Sequence, residues 1–288
     1  MKDELLTEAV LESTRDLDQR STREVLDAIH GQDRVALDAV GRALPEIERA
    51  VEILVLCLQG GGRWFNVGAG TSGRVGALDA SEVPPTFGYP ADRVRAVIAG
   101  GEPALLRAVE GAEDDGPAAR RALRELELMP GDAVVALSAS GSTPFAIAAL
   151  EEAFEIGARR IAITCNPDTA LAEHAEVAIE PLVGPEVIAG STRMKGGLAQ
   201  KMILHLLSTT VMVRLGRVEG NLMTNLMPAS RKLRGRALRI LIARSGLPQE
   251  EAEALLDAAH GSVAAALAQF RSGDGLSKPR HSPQGASC

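Results

Sequence analysis

The sequence predicts an α/β protein in which a parallel sheet is flanked by helices. From residue 64 onward, short apolar runs that are typical of buried strands alternate with longer stretches of helical character. The predicted strands are residues 64–67, 94–98, 133–137, 160–164 and 176–179. Strands that alternate with helices form a parallel sheet, and the ligands of such sheets bind at the edge where the strands have their carboxyl ends.

Helices are predicted on both sides of this alternating region. Ahead of it, apolar side chains such as Val25 and Ile29 lie three or four residues apart, which indicates helices over most of residues 3–56. After it, residues 194–214 carry few charges and are apolar around much of a helical circumference. A helix of that kind is buried, and we expect it in the core or between subunits.

The composition is that of a globular protein that is not exported. The 288 residues carry a net charge of −7 and no dense basic run, which argues against nucleic acid as a partner. Cys57, Cys165 and Cys288 are widely spaced and form neither a C-x-x-C motif nor a Cys/His cluster. No apolar signal core follows the charged start, and no run approaches the roughly 18 apolar residues of a membrane helix. We expect a cytoplasmic protein without a membrane partner.

Two loops rich in glycine and hydroxyl side chains follow predicted strands. The first, residues 68–73, contains Thr71 and Ser72, and a helix is predicted from Arg74. The second runs from Ser138 through Ser140 and Ser142 to Thr143, just ahead of another helix. Because free N–H groups at a helix start favour an anion, two such loops at one sheet edge indicate a phosphate site.

Other interpretations of these loops remain open. The spacing of Gly68, Gly70 and Gly73 matches G-x-G-x-x-G, which is also found in dinucleotide-binding proteins. Those proteins place an acidic residue after the next strand, whereas residues 99–101 here are Ala-Gly-Gly. A tight turn without a ligand, and ordinary helix capping by the hydroxyls of residues 138–143, are the remaining alternatives.

Two groups of carboxylates are candidates for acid–base chemistry. Glu82 interrupts an uncharged stretch, and Val83-Pro84-Pro85 is expected to end the helix and hold the carboxylate in place. Burial or a neighbouring anion would keep such a donor protonated. Residues 108–115 carry four acids at the end of a helical stretch, a pattern that is typical of a solvated face.

Six segments of this chain closely resemble the N-acetylmuramic acid 6-phosphate etherase family, and the resemblance extends from about Leu5 to Phe270. The matching segments are residues 68–74, 78–88, 108–115, 184–195, 199–201 and 214–223. The family has the sugar isomerase (SIS) fold, which implies a single SIS domain: a five-stranded parallel sheet between helices, or αβα sandwich. The related glucokinase regulatory proteins carry two copies in a much longer chain, so the length here favours the enzyme.

The resemblance also implies an activity and a set of site residues. The family cleaves the D-lactyl ether at C3 of N-acetylmuramic acid 6-phosphate, as a homodimer and without a metal or other cofactor. Its two carboxylates correspond to Glu82, as proton donor, and Glu113, as acid/base, although which of the two acts first is left open. The residues implied to bind the substrate are Thr71, Ser72, Ser138, Ser140, Thr143 and Lys195. For Lys195, a salt bridge at the start of the long helix is an equal alternative.

The chain departs from the family pattern in several places: among them, Val83 replaces a usual cysteine, Ser142 a common arginine and Leu198 a common threonine. None of these changes removes a proposed catalytic carboxylate, but Ser142 is expected to alter the affinity for phosphate or carboxylate. The role of the C-terminal helices is not implied by the resemblance.

The predicted organisation has four parts. These are an N-terminal helical segment on the core or on a partner subunit (1–52), a SIS catalytic domain (53–218), a small UBA-like helical domain (219–270) and a disordered tail (271–288). Breaks at residues 245–248 and 260–262 indicate three helices in the small domain.

Two other functions fit the same fold. A sugar-phosphate isomerase would also move the C2 proton with a carboxylate, and a silent sugar-phosphate sensor would bind without turnover. A glycosidase is remote, because one Trp and one Tyr cannot line an aromatic sugar cleft.

Overall fold

The computed structural model describes residues 5–226 and 230–272. Its sheet has five parallel strands in the order β2-β1-β3-β4-β5. The strands are β1 Trp64–Gly68, β2 Val94–Ile98, β3 Ala133–Leu137, β4 Arg159–Ile163 and β5 Val177–Ile179. The predicted strands are confirmed, and their ends differ from the prediction by at most one residue. Gly68 lies opposite both Ile98 and Leu137, so the neighbouring strands β2, β1 and β3 end level.

Helices cover both faces of the sheet, which explains why every residue of β1 and β3 is buried. On one face, Phe65 and Val134 pack with Leu123 of α5 (Gly116–Glu125) and Leu150 of α6 (Pro144–Ile156). Side chains alternate along a strand, so Trp64 and Asn66 point the other way. There, the indole N–H of Trp64 donates to Asn66, whose amide donates to the carbonyl of Gly76 in α3 (Gly70–Phe87).

The N-terminal helices are confirmed, but they begin later than predicted. Ser21 and Glu24 form a capping box that starts α1 (Thr22–Arg42), and α2 (Leu44–Gln59) follows at once. Residues 5–21 contain only short 3-10 turns. Both α1 and α2 contact α8 (Lys195–Arg214), the long apolar helix that the sequence predicts to be buried. The face of α8 that α1 and α2 contact is therefore covered by the chain itself. Two one-turn helices, α4 (Pro103–Leu106) and α7 (Ala170–Glu173), complete this part of the chain.

Helix α3 differs from the prediction at both ends. It begins at Gly70, directly after the single linker residue Ala69, so Thr71 and Ser72 lie in its first turn and not in a loop. It also continues past Val83-Pro84-Pro85 to Phe87, and the expectation of a helix end there is wrong. Proline has a φ that suits a helix, and each of the two prolines removes one backbone hydrogen bond, so the helix continues for only two residues beyond them.

The chain divides into two compact units, one of residues 1–84 and 90–216 and the other of residues 85–89 and 217–288. Helices α9 (Arg231–Ser245), α10 (Gln249–Ala258) and α11 (Val263–Ser272) build the second unit. They pack around Leu241, Leu256 and Leu267, and Gly246 ends α9 in a left-handed conformation with φ 71°. The predicted three helices are confirmed. Residues 271 and 272 belong to α11, and the rest of the predicted tail lies outside the described residues.

Within the two described ranges, no helix has the length and apolar character needed to cross a membrane.

Candidate active site

The first hydroxyl cluster lies where β1 turns into α3. A Cβ on Gly73 would come 2.6 Å from the carbonyl oxygen of Gly68 and 2.5 Å from a carbon of Ile98, so only glycine permits this approach. The close turn brings the N-terminus of α3, with Thr71 and Ser72, to the carboxyl edge of the sheet. The first-turn N–H groups of a helix in this position favour an anion.

The second hydroxyl cluster follows β3, the neighbour of β1. The Ser138 hydroxyl lies 2.8 Å from that of Thr143 and 3.2 Å from that of Ser140, and it accepts the N–H of Gly141 at 3.0 Å. Thr143 is the N-cap residue of α6, yet its side chain makes no capping hydrogen bond. Helix capping therefore does not account for this hydroxyl, which faces its neighbours in the cluster instead.

The start of α8 joins the two clusters. A Cβ on Gly197 would meet the methyl group of Thr71 at 3.0 Å, and one on Gly196 would meet Ala139 at 3.3 Å. The Ser72 hydroxyl donates to Oε1 of Gln200 at 2.9 Å. The first turns of α3 and α8 and the loop after β3 thus meet at one sheet edge, with Thr71, Ser72, Ser138, Ser140 and Thr143 in or beside them.

Glu186 holds the start of α8 in place. Its two carboxylate oxygens accept the backbone N–H groups of Lys195 at 3.0 Å and Gly196 at 2.9 Å, and the side chain is fully buried. Sequence reasoning assigned no role to Glu186. The only signal was its place in a glycine-rich segment that matches the family, because the N–H groups it caps lie nine and ten residues away.

Lys195 is buried beside this cap. Its ammonium donates to Oε1 of Gln32 in α1 at 2.6 Å, and only 2% of the residue is exposed. Burial lowers the pKa of Lys195, while Glu186 and Asp33 act in the opposite direction. No ion pair within 4 Å of the ammonium is found in residues 5–226 and 230–272, so the salt-bridge alternative is not what holds the side chain.

Glu113 lies at the first turn of α3. It is exposed, in a 3-10 turn that follows Gly111, and it lines a cavity of about 240 Å³ together with Gly70 and Arg74. The acidic segment does not end a helical stretch, because α4 stops at Leu106. Nor is Asp115 merely solvated, since it caps α5 by accepting the N–H of Ala118 at 2.9 Å.

Glu82 lies farther along α3. Ten residues separate it from Ser72, which corresponds to about 15 Å along a helix. The side chain is exposed, so the expected burial of the proton donor is not found within a single chain. A second acid, Asp79, lies one turn earlier and is bound to Lys201 of α8.

A larger cavity, of about 420 Å³, opens beside the second hydroxyl cluster. Ser140 and Ser142 line it together with the loop that follows β4. In that loop, the Asn166 amide donates to the carbonyl of Ala139 at 2.9 Å and to the Thr7 hydroxyl at 3.0 Å. Asn166 thereby ties the N-terminal segment to the cluster, a contact that sequence reasoning missed because 159 residues separate the two side chains.

Among the residues described, the cysteines and the metal-binding residue types suggest no second kind of chemistry. Burial raises the pKa of the Cys57 and Cys165 thiols to about 12, so neither is a nucleophile at neutral pH. In the part of the chain that the structure describes, no three His, Cys, Asp or Glu residues are grouped as a metal site requires.

Comparisons with known structures agree with this fold. A phosphoheptose isomerase from Francisella tularensis has a TM-score of 0.51 at 22% identity, over 66% of this chain and 98% of that chain. A protein from E. coli has a TM-score of 0.52 at 16% identity, over 70% of this chain and 97% of that chain. At these identities the similarity concerns the fold alone.

Comparisons of sequence are more specific. The family model of the glucokinase regulatory protein N-terminal SIS domain matches residues 46–154, and that of the SIS domain matches residues 123–210. A Symbiobacterium thermophilum protein named N-acetylmuramic acid 6-phosphate etherase is 50% identical over 271 residues, 93% of this chain and 89% of that protein. One of the same name from Yersinia pestis is 49% identical over 249 residues, 86% of this chain and 84% of that protein. The chain therefore belongs to the N-acetylmuramic acid 6-phosphate etherase family, which has the SIS fold.

Proposed function

We propose that this protein cleaves the D-lactyl ether of N-acetylmuramic acid 6-phosphate to give N-acetylglucosamine 6-phosphate and D-lactate. The observation that carries the proposal is the meeting of two hydroxyl clusters at one sheet edge, where the start of α8 joins them. That arrangement suits the 6-phosphate of a sugar, because hydroxyls and helix N–H groups bind a phosphoryl oxygen from several sides. Family membership supports the choice of substrate.

The chemistry follows from the open-chain form of the sugar. Its C2 proton is α to the C1 aldehyde, so a base removes it while an acid protonates the departing lactyl oxygen at C3. Water then adds to the C2=C3 double bond, with its oxygen on C3 and a proton on C2. We assign Glu82 as the proton donor and Glu113 as the acid/base, since these two carboxylates match the family motifs.

The phosphate contacts are part of the same proposal. Ser72, Ser138, Ser140 and Thr143 hold the phosphoryl group, with Thr71 beside them in the first turn of α3. Lys195 is also assigned to the substrate, because in the described part of the chain one hydrogen bond to Gln32 leaves two of the three N–H donors of its ammonium free to bind it.

Release of D-lactate tests the reaction. Purified protein is incubated with N-acetylmuramic acid 6-phosphate, and D-lactate and the sugar product are measured by enzyme-coupled assay and mass spectrometry. We expect the two products in equal amounts. Conversion of an aldose phosphate to its ketose without lactate would support an isomerase, and ligand binding without any turnover would support a sensor.

We further propose a cytoplasmic homodimer in which each site is shared. Glu113 lies beside the first turn of α3 in its own chain, where the phosphate is proposed to bind. Glu82 lies about 15 Å along α3 from Ser72, too far for a sugar held at Ser72 to reach it. Leu78, one turn before Glu82, is an apolar side chain with 45% exposure, which suits contact with a second copy. Glu82 would then act on the sugar held by the other subunit.

Subunit mixing tests the shared site. Glu82→Gln and Glu113→Gln are expected to be inactive alone, whereas a heterodimer of the two contains one site with both carboxylates. Random exchange should therefore restore about a quarter of the wild-type activity. Each variant taken through the same exchange alone is the control, and light scattering should give a mass near twice 30.2 kDa. If the exchanged dimers regain no activity, each site takes both carboxylates from the same chain.

A further inference from the structure

Asp79 is a buried acid on α3 to which the proposed mechanism gives no role. Only 3% of the residue is exposed, and its Oδ1 lies 3.3 Å from the ammonium of Lys201 in α8. The other oxygen, Oδ2, is buried and makes no hydrogen bond within 3.5 Å among the residues described, although the Ser208 hydroxyl of α8 lies near enough to act on this carboxyl. Buried carboxylate oxygens are normally satisfied, so this one needs an explanation.

The position of Asp79 on α3 places it next to Glu82. It precedes Glu82 by three residues, and residues at that spacing lie on the same side of a helix. Burial raises the pKa of Asp79, and the negative charge of Glu82 acts in the same direction, whereas Lys201 and Ser208 of α8 oppose it. The carboxyl of Asp79 is therefore close enough to Glu82 for their charges to interact.

A purely structural ion pair elsewhere in the chain offers a comparison. Asp132 is fully buried and lies 2.7 Å from the guanidinium of Arg63, as part of the connection into the amino end of β3. Its oxygens also accept the backbone N–H groups of Arg63 at 2.7 Å and Met129 at 2.9 Å. Both oxygens of Asp132 are thus satisfied, whereas only Oδ1 of Asp79 accepts a hydrogen bond within 3.5 Å from a described residue.

We propose, on the basis of the function proposed above, that Asp79 held by Lys201 is a positioning residue for Glu82. The pair fixes the turn of α3 that carries the proton donor and sets the charge on its inner side. Neighbouring residues of α8 thereby contact both parts of α3 that the proposed function uses, because Gln200 binds Ser72 while Lys201 binds Asp79, close to Glu82.

Kinetics of three variants test the proposal. Asp79→Asn should lower kcat by about 10- to 100-fold with little change in KM, since misplacement of a catalytic group by an ångström has effects of this size. The pH profile of kcat should shift, because a charge next to Glu82 is removed. Lys201→Met should behave similarly, and Lys201→Arg should recover most of the activity.

A double-variant cycle separates positioning from general stabilisation. In a Glu82→Gln background, Asp79→Asn should cause no further loss of kcat, since groups that act as a unit are not additive. The matched control is Asp132→Asn, which should lower the melting temperature and leave kcat unchanged. Full additivity with Glu82→Gln, or an unchanged kcat in Asp79→Asn, would overturn the inference. Failure of the proposed function is seen separately, as absence of lactate release by the wild-type protein.

Discussion

Glu82→Gln is expected to lower kcat for lactate release by about 10²- to 10⁴-fold, the usual contribution of a general acid. The amide has the size of the carboxyl group but cannot deliver a proton to the departing lactyl oxygen. KM should change little, because the substitution leaves the hydroxyls that are proposed to hold the phosphate unchanged. Steady-state kinetics with the phosphorylated substrate measure both constants.

A matched control is available on α5. Glu125→Gln makes the same change at an exposed glutamate of that helix and should leave kcat and KM unaltered. Binding of the product N-acetylglucosamine 6-phosphate to Glu82→Gln, followed by calorimetry, should persist. If this variant turns over at the wild-type rate, the proton donor is another group.

Replacing Ser138 and Thr143 together, as Ser138→Ala with Thr143→Val, should raise KM by about 100-fold or more. Each hydroxyl is assigned a hydrogen bond to a charged phosphoryl oxygen, and bonds of that kind contribute about 1.5–3 kcal/mol. A factor of ten in affinity corresponds to about 1.4 kcal/mol, so two losses account for the expected rise.

The substrate itself provides the control for this variant. N-acetylmuramic acid without the phosphate should be a poor substrate for the wild-type protein. The double substitution should leave the KM for this unphosphorylated sugar almost unchanged. A melting temperature close to that of the wild type would show that the loop still folds. An unchanged KM for the phosphorylated sugar would place the phosphate elsewhere.

The strands and the hydroxyl clusters were predictable because their signals are local. Each strand is a short apolar run, and each cluster is a group of small and hydroxyl-bearing residues directly after a strand. The course of α3 was not predictable from the same rules. Consecutive prolines normally end a helix, but here the helix accepts the loss of two backbone hydrogen bonds and ends two residues later, at Phe87.

The contacts that organise the site could not be predicted, because distant parts of the chain make them. Ser72 and Gln200 are 128 residues apart, and Asp79 and Lys201 are 122 residues apart. Nothing in the residues around Gln200 indicates that it meets Ser72. The placement of Glu82 likewise depends on where α3 begins, which is four residues earlier than the prediction.

Glu186 lies close to the two hydroxyl clusters that are proposed to hold the phosphate, and its chemistry is that of a third candidate base. Both of its oxygens, however, are occupied by the backbone at the start of α8, and no water reaches the side chain. Protonation would weaken the hydrogen bonds by which it caps α8, and its burial keeps it from a sugar unless that segment moves. Glu186 is therefore no substitute for either proposed glutamate, and evolution could recruit it only by rebuilding the start of α8.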